Sequence, residues 1–364
     1  MSRWQSTIHM VDDGWEAAND YCYERGWTDG LPVVPPTPAR VEAMLAWTDF
    51  EPDDVVAELP PLGGRATVEK IAINAVMAGC RPEYLPILIA AVQALADPRL
   101  NLQALQATTH PVAPLLILNG PLARQIGANG GANAFGQGNR ANATIGRAVR
   151  LCLLNIGGGR PGETDKATQG HPGKYTYCVA ENEDANPWEP LHVERGFDRE
   201  QSTVTVIGAE APHNVNDHGS TDAEGICKTL ASALATAACN DVYLSGRPLV
   251  VFGPEHAATV ARSGWNKDDV RDYLYRQARV PYRAFSQENL ARFEQMRPEW
   301  FARPRAEDVP VMGGPEELDI VVVGGPGKHS LVIPTFGDTR PVTRLVAGRD
   351  GSPLYELRPR RAPG

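Results

Sequence analysis

The chain has 364 residues, enough for two domains or for one large α/β domain with insertions. Its 42% apolar and 22% charged residues are ordinary for a globular protein, and a net charge of −9 with no Lys/Arg-rich face excludes a nucleic-acid surface. The 35 glycines and 31 prolines exceed the usual combined share of about 12%, so much of the chain is shaped loop.

The opening residues Met1–Ser6 lack the apolar core of a signal peptide. Tyr84–Ala96 is the longest apolar stretch; it contains Pro86 and Gln93 and is too short to span a bilayer. The expectation is a cytoplasmic protein with no membrane association. The six cysteines lie far apart without a Cys-x-x-Cys pair and read as free thiols.

In chain order, Asp12–Arg25 is amphipathic and stops at Gly26, and the Pro-rich Leu31–Pro36 must be extended. Thr37-Pro38 then opens a helix. Apolar helices are predicted over 67–78 and 82–95, with Gly79 as the stop between them. Leu115–Leu118 reads as a buried strand, and Gly127–Arg140 as a Gly/Asn-rich loop. Asn142 is expected to cap a helix running to Asn155. After strand Val204–Ile207, Thr221-Asp222-Ala223-Glu224 forms a capping box for a helix reaching Cys239. Strand Leu249–Phe252 leads into helices over 255–262, 266–277 and 287–296. A Pro-punctuated linker covers 297–315, and strands follow over 320–323, 331–333 and 342–346. This order predicts an α/β fold: a mainly parallel sheet with flanking helices, a helical N-terminal region and a small C-terminal β unit. The expected divisions are 1–110, 111–300 and 301–364.

Three apolar runs each end in Gly and reach a histidine a few residues on: Gly208 before His213, Gly253 before His256, and Gly324 before His329. In an open parallel sheet, loops at the carboxyl ends of strands meet in one crevice, where ligands bind. The runs therefore predict that these imidazoles share one side of a sheet. The third run leaves room for a hairpin at Gly324–Gly325, because another strand follows at once.

The densest polar cluster lies between Lys174 and His218. His192-x-Glu194, read as extended, would point both side chains to one face. With His213 and His218 they would hold a divalent metal, Zn, Fe or Mn. The plainer alternative makes His192 and Glu194 surface residues, with Asp217 and His218 capping the following helix. Lys174 and Lys328 follow glycine turns whose N–H groups suit a carboxylate or phosphate. Neither segment is a phosphate-binding Walker loop, and the 127–131 glycines match no dinucleotide fingerprint. The candidate catalytic groups are Lys174, Cys178, Glu181, His256, Lys328 and His329. Asn129, Asn142, Arg147 and Asn182 are the candidate substrate contacts. Cys178 follows Lys174, whose charge would favour a thiolate; a buried strand cysteine is the alternative.

The strings LPVVPPTPARVEAML, AINAVMAGCRPEYLP, NRANATIGRAVRL, PGKYTYCVAENEDANPWEPLHVERGF and PEHAATVARSGWNKDDVRDYL cover most of the chain between Tyr21 and Ile333. They resemble a family of bacterial proteins, some of which accompany a domain bearing a selenocysteine-Gly-Ser-Cys (UGSC) motif. The chain contains no Cys-Gly-Ser-Cys, so any such redox chemistry would belong to a partner. The resemblance implies a bacterial cytoplasmic enzyme or enzyme subunit and transfers no activity or catalytic residue.

These features lead to the expectation of a metal-dependent hydrolase or lyase acting on a small anionic substrate. Two alternatives stand beside it: a thiol-dependent redox subunit using Cys178 with a UGSC-type partner, and a non-catalytic subunit of a larger enzyme. A homo-oligomer or such a partner protein is the expected association.

Overall fold

The computed structural model describes residues 4–296, 298 and 308–360. Its strands are β1 (Val55–Leu59), β2 (Gly64–Thr67), β3 (Ala113–Asn119), β4 (Cys178–Ala180), β5 (Thr203–Ala209) and β6 (His213–Asn216), followed by β7 (Leu249–Phe252), β8 (Arg279–Val280), β9 (Val309–Pro310), β10 (Asp319–Val322), β11 (His329–Ile333) and β12 (Val342–Leu345). The chain divides into two compact units. The first comprises Met1–Glu181, Leu191–Gly208 and Arg340–Gly364; the second comprises Asn182–Pro190 and Ala209–Thr339. Neither is continuous in sequence, so the expected divisions at 110 and 300 do not mark them. About half of the linker expected over 297–315 falls outside the described residues. Within it, Val309 of β9 pairs antiparallel with Val280 of β8.

In the first unit the sheet order is β12-β5-β3-β4. β3 is parallel to β4, with Leu116 opposite Cys178, and β12 is antiparallel to β5, with Val342 opposite Val206. All seven residues of β3 and of β5 are buried, as expected of unbroken apolar runs. The helix Leu85–Leu95 is apolar all round except at Gln93, and every other residue in it is buried. The helix Val68–Ala78 starts where Thr67 Oγ1 accepts the Lys70 N–H, and stops at Gly79 in the left-handed region (φ 86°), as the sequence predicts. The helix Arg140–Asn155 is capped by Asn139, three residues before the residue expected: Asn139 Oδ1 accepts the Asn142 N–H at 3.0 Å.

In the second unit the order is β10-β7-β11-β6. β10 and β7 are parallel, while β11 is antiparallel to both β7 and β6. The fold is therefore α/β, but both four-stranded sheets are mixed rather than mainly parallel. The run before Gly208 belongs to β5 and hence to the first unit's sheet, so the three runs do not share one sheet. No hairpin forms at Gly324–Gly325, because β7 lies between β10 and β11. Among the described residues there is no separate C-terminal β unit: β11 completes the second unit's sheet and β12 the first's. Phe252, Val250, Ile320 and Val322 pack with Ile226, Leu230 and Leu234 of the helix Ala223–Leu234. Each such side chain fully buried contributes about 1.5–3 kcal/mol. That helix is capped by Asp222, whose Oδ1 accepts the Gly225 N–H, and it ends before Cys239. Gly253 has a steric cause: a Cβ there would lie 2.2 Å from the His329 carbonyl oxygen. The carboxyl end of β7 and the start of β11 can approach only without a side chain. Among the described residues, no helix is long and apolar enough to cross a membrane.

Candidate functional site

The polar groups that come together lie within the second unit, around the ends of β6, β7, β10 and β11. Antiparallel pairing sets His329, the first residue of β11, opposite Asn216, the last of β6. Two residues beyond β6 the chain delivers His218, and the two imidazoles meet edge to face, Nε2 to Nε2 at 3.4 Å, with ring planes 80° apart. Both rings are exposed. Asn214 lies diagonally across the ladder on the same face as Asn216, and its Oδ1 is 3.1 Å from His329 Nδ1. An amide oxygen only accepts, so His329 Nδ1–H donates, and in the neutral ring Nε2 keeps its lone pair. His218 Nε2–H is then the donor to it. One ring presents a basic nitrogen and the other an N–H. Lys328 Nζ donates to the His218 carbonyl at 3.2 Å, which uses one of its three protons.

Behind this pair is a buried brace. His256 sits in the first turn of the helix Pro254–Arg262 and is only 2% exposed. Its Nε2–H donates to the Asp217 carbonyl at 2.9 Å, and its Nδ1 accepts from Ser330 Oγ at 2.8 Å. Ser330 Oγ in turn accepts the Gly253 N–H at 3.3 Å. One imidazole thus ties the residue before His218 to the residue after His329. Both ring nitrogens of His256 and the Ser330 hydroxyl are used, as a buried network requires. The Asp217 carboxylate closes the loop: it accepts from Gly219 N, Ser220 N, Ser220 Oγ and Thr229 Oγ1. Burial alone would raise its pKa, but the hydrogen bonds from Thr229, Ser220 and Gly219 outweigh that and hold it below the usual carboxylate range.

The expected metal quartet does not assemble. His192 and Glu194 belong to the first unit, and they lie in a helical turn (Leu191–Glu194), where residues two apart do not share a face. His192 is fully buried with Nε2 3.4 Å from the Arg199 carbonyl, whereas Glu194 is exposed. His213 pairs with Val332, three residues along β6 from the His329 row, so about 10 Å away. By strand alternation it also leaves from the opposite face. Among the described residues no group of three or more His, Cys, Asp or Glu side chains is placed to hold a metal ion.

Other candidates have structural partners. Asn182 donates its backbone N–H to the Val322 carbonyl and its Nδ2 to the Gly324 carbonyl, securing the carboxyl end of β10. In the first unit, the buried Glu181 Oε2 accepts from Asn119 Nδ2 (2.7 Å) and from Leu191 N (2.9 Å). Asn142 exchanges hydrogen bonds with both backbone groups of Asn129 and also donates to the Ala134 carbonyl. Asn129 Oδ1 accepts from Gly131 N. These asparagines fold the 127–139 loop. Arg147 forks onto Asp29 and reaches the Leu31 and Pro32 carbonyls. Lys174 pairs with Asp165 at 2.6 Å; burial pulls its ammonium pKa down and the aspartate opposes this.

All six cysteines are free and buried. Burial raises the Cys178 thiol well above its usual value, with a smaller push from Cys80, so a thiolate is disfavoured. Iodoacetamide at pH 8 is therefore expected to label Cys178 at least about tenfold more slowly in the folded protein than after denaturation. Peptide mass spectrometry checks this; fast selective labelling of native Cys178 would return it to the reactive groups.

Ser330 and Glu255 are the site residues that the sequence reading missed, and Asn214 lay in its polar cluster without a role of its own. For Asn214 the available signal was alternation, since it shares a strand face with Asn216. Ser330 and Glu255 carry no signal without the pairing of β11 with β7. No family model matches this chain, and neither a curated protein nor a solved structure matches it.

Proposed function

We propose that this protein is an enzyme of the hydrolase or lyase class whose reactive centre is the His218–His329 pair, acting on a small anionic substrate. The observation that carries the reading is the 3.4 Å approach of two exposed Nε2 atoms with unlike hydrogen-bond roles, set by Asn214. A base and a proton donor side by side are what bond cleavage with proton transfer requires. Lys328, with two ammonium protons beyond the one given to His218, supplies a cation for the substrate's charge. The turn itself is partly satisfied from within: Glu255 Oε1 accepts the Gly327 N–H at 2.7 Å, so the anion is assigned to the lysine rather than to the turn. His256 serves as a positioning residue that holds the two segments in register.

A panel of small carboxylate and phosphate esters and hydroxy acids, assayed with the wild type, His218→Ala and His329→Ala, tests the reading. On any substrate the wild type converts, each variant is expected to lose about 10²- to 10⁴-fold in kcat. Variants that turn over that substrate at the wild-type rate would contradict it.

A further inference from the structure

We infer that His218 and His329 together bind one transition-metal ion of the Zn²⁺ type through their two Nε2 atoms. The inference rests on the reading of this pair as the reactive centre and refines it: with both Nε2 atoms ligating, an ion-bound water would take over the proton-transfer roles that the bare Nε2 and the Nε2–H hold in the metal-free pair. A tetrahedral ion with metal–nitrogen bonds of about 2.0–2.1 Å places two ligand nitrogens about 3.3–3.4 Å apart. The observed separation is 3.4 Å. Octahedral coordination at the same bond length would bring neighbouring nitrogens to about 2.8–3.0 Å, so the spacing fits a four-coordinate ion better.

A second feature is independent of that distance. Metal-bound histidines donate their other ring N–H to a carbonyl or carboxylate, which fixes the tautomer and aims the lone pair at the metal. His329 does this through Nδ1 to Asn214 Oδ1 at 3.1 Å. The His256 brace supports the same end, since it fixes the main chain next to both candidate ligands. Lys328 does not compete for the position, because its ammonium is directed to the His218 carbonyl. In the absence of metal, a proton on His218 Nε2 fills the space between the rings, and the ion takes its place. The protein supplies two donors, one fewer than the three of most open catalytic sites, so two positions of a four-coordinate ion are left to water or substrate.

The decisive experiment titrates Zn²⁺ into full-length, metal-stripped protein carrying no His tag, followed by calorimetry, and Co²⁺ into the same protein, followed by its visible absorption. One ion per chain is expected. His218→Ala and His329→Ala should each weaken it at least about tenfold, and Asn214→Ala about tenfold. His213→Ala, removed along β6, should bind as the wild type does. Imidazole ¹⁵N spectra of the wild type need no variant: Zn²⁺ is expected to shift the Nε2 signals of both His218 and His329. No binding, or binding that moves neither signal and survives both alanine variants, overturns the inference. The two readings fail separately. Activity lost in both variants without metal binding overturns this inference alone, whereas metal bound at the pair with activity unaffected in both variants overturns the reactive-centre reading alone.

Discussion

Replacing His256 by alanine is expected to destabilise the protein by about 3–5 kcal/mol, the largest effect of any single substitution considered. The ring is 2% exposed and makes two hydrogen bonds, to Ser330 Oγ and to the Asp217 carbonyl. Truncation leaves a void the size of an imidazole, which costs about 2–5 kcal/mol in comparable large-to-small changes. It also strands a buried hydroxyl and a buried carbonyl, at about 1–3 kcal/mol each, although relaxation recovers part of the sum. His256→Gln, which offers one donor and one acceptor, should recover part of the loss. Urea unfolding of the three proteins measures this, and a change under about 1 kcal/mol for His256→Ala would show that the brace is not holding the two segments. Because His256 anchors the residues beside both His218 and His329, the alanine variant should also lose the pair's reactivity with both histidines still present.

The second large effect is a pH dependence centred on Asp241. This carboxyl, in the short helix Asn240–Leu244, is fully buried. It accepts from Thr335 Oγ1 (2.7 Å), Thr335 N (3.1 Å) and the Cys239 thiol (3.2 Å). Burial dominates these hydrogen bonds and pushes its pKa up from 3.8 to about 7. Between those values the folded protein retains a proton that the unfolded chain has released. Its contribution to stability is therefore complete below about pH 4 and is lost as pH rises to about 7. Asp241→Asn removes the ionisation while keeping an acceptor for Thr335, so the variant should gain on the wild type as pH rises from 5 to 8, on the order of 3 kcal/mol. Thermal unfolding of both proteins across that range checks the slope. A difference that stays constant with pH would place the titration elsewhere.

Local features of the fold were legible because they depend on short stretches of sequence. Gly79 ended its helix, and Asn266 opened one over 267–277 with its side chain accepting from Asp268 N and Asp269 N. The run before Gly253 and the run before Gly324 proved to be neighbouring parallel strands, β7 and β10, and they led to His256 and His329. Long-range pairing was not legible. Nothing in Val204–Ile207 distinguishes a strand of one sheet from a strand of another, and β11 inserts beside β7 through register contacts with residues 78 to 84 positions earlier. That pairing is also what selects His218 over His213. The two lie five residues apart with similar surroundings, but strand alternation and the β6–β11 register bring only the later one to His329. The unit boundaries were hidden for the same reason, since the chain leaves the first unit and returns to it twice without a change in composition.

Long-range ¹H–¹⁵N correlation of the histidine side chains in metal-free protein at pH 8, where free imidazoles are neutral, reads the pair's protons directly. His218 and His329 form one unit with unlike nitrogens. His329 is expected to carry its proton on Nδ1 with Nε2 bare and His218 its proton on Nε2, and Asn214→Ala is expected to release the His329 preference. His329 protonated on Nε2, with both rings averaging between tautomers as free imidazoles do, would contradict the pair and with it the function assigned to it.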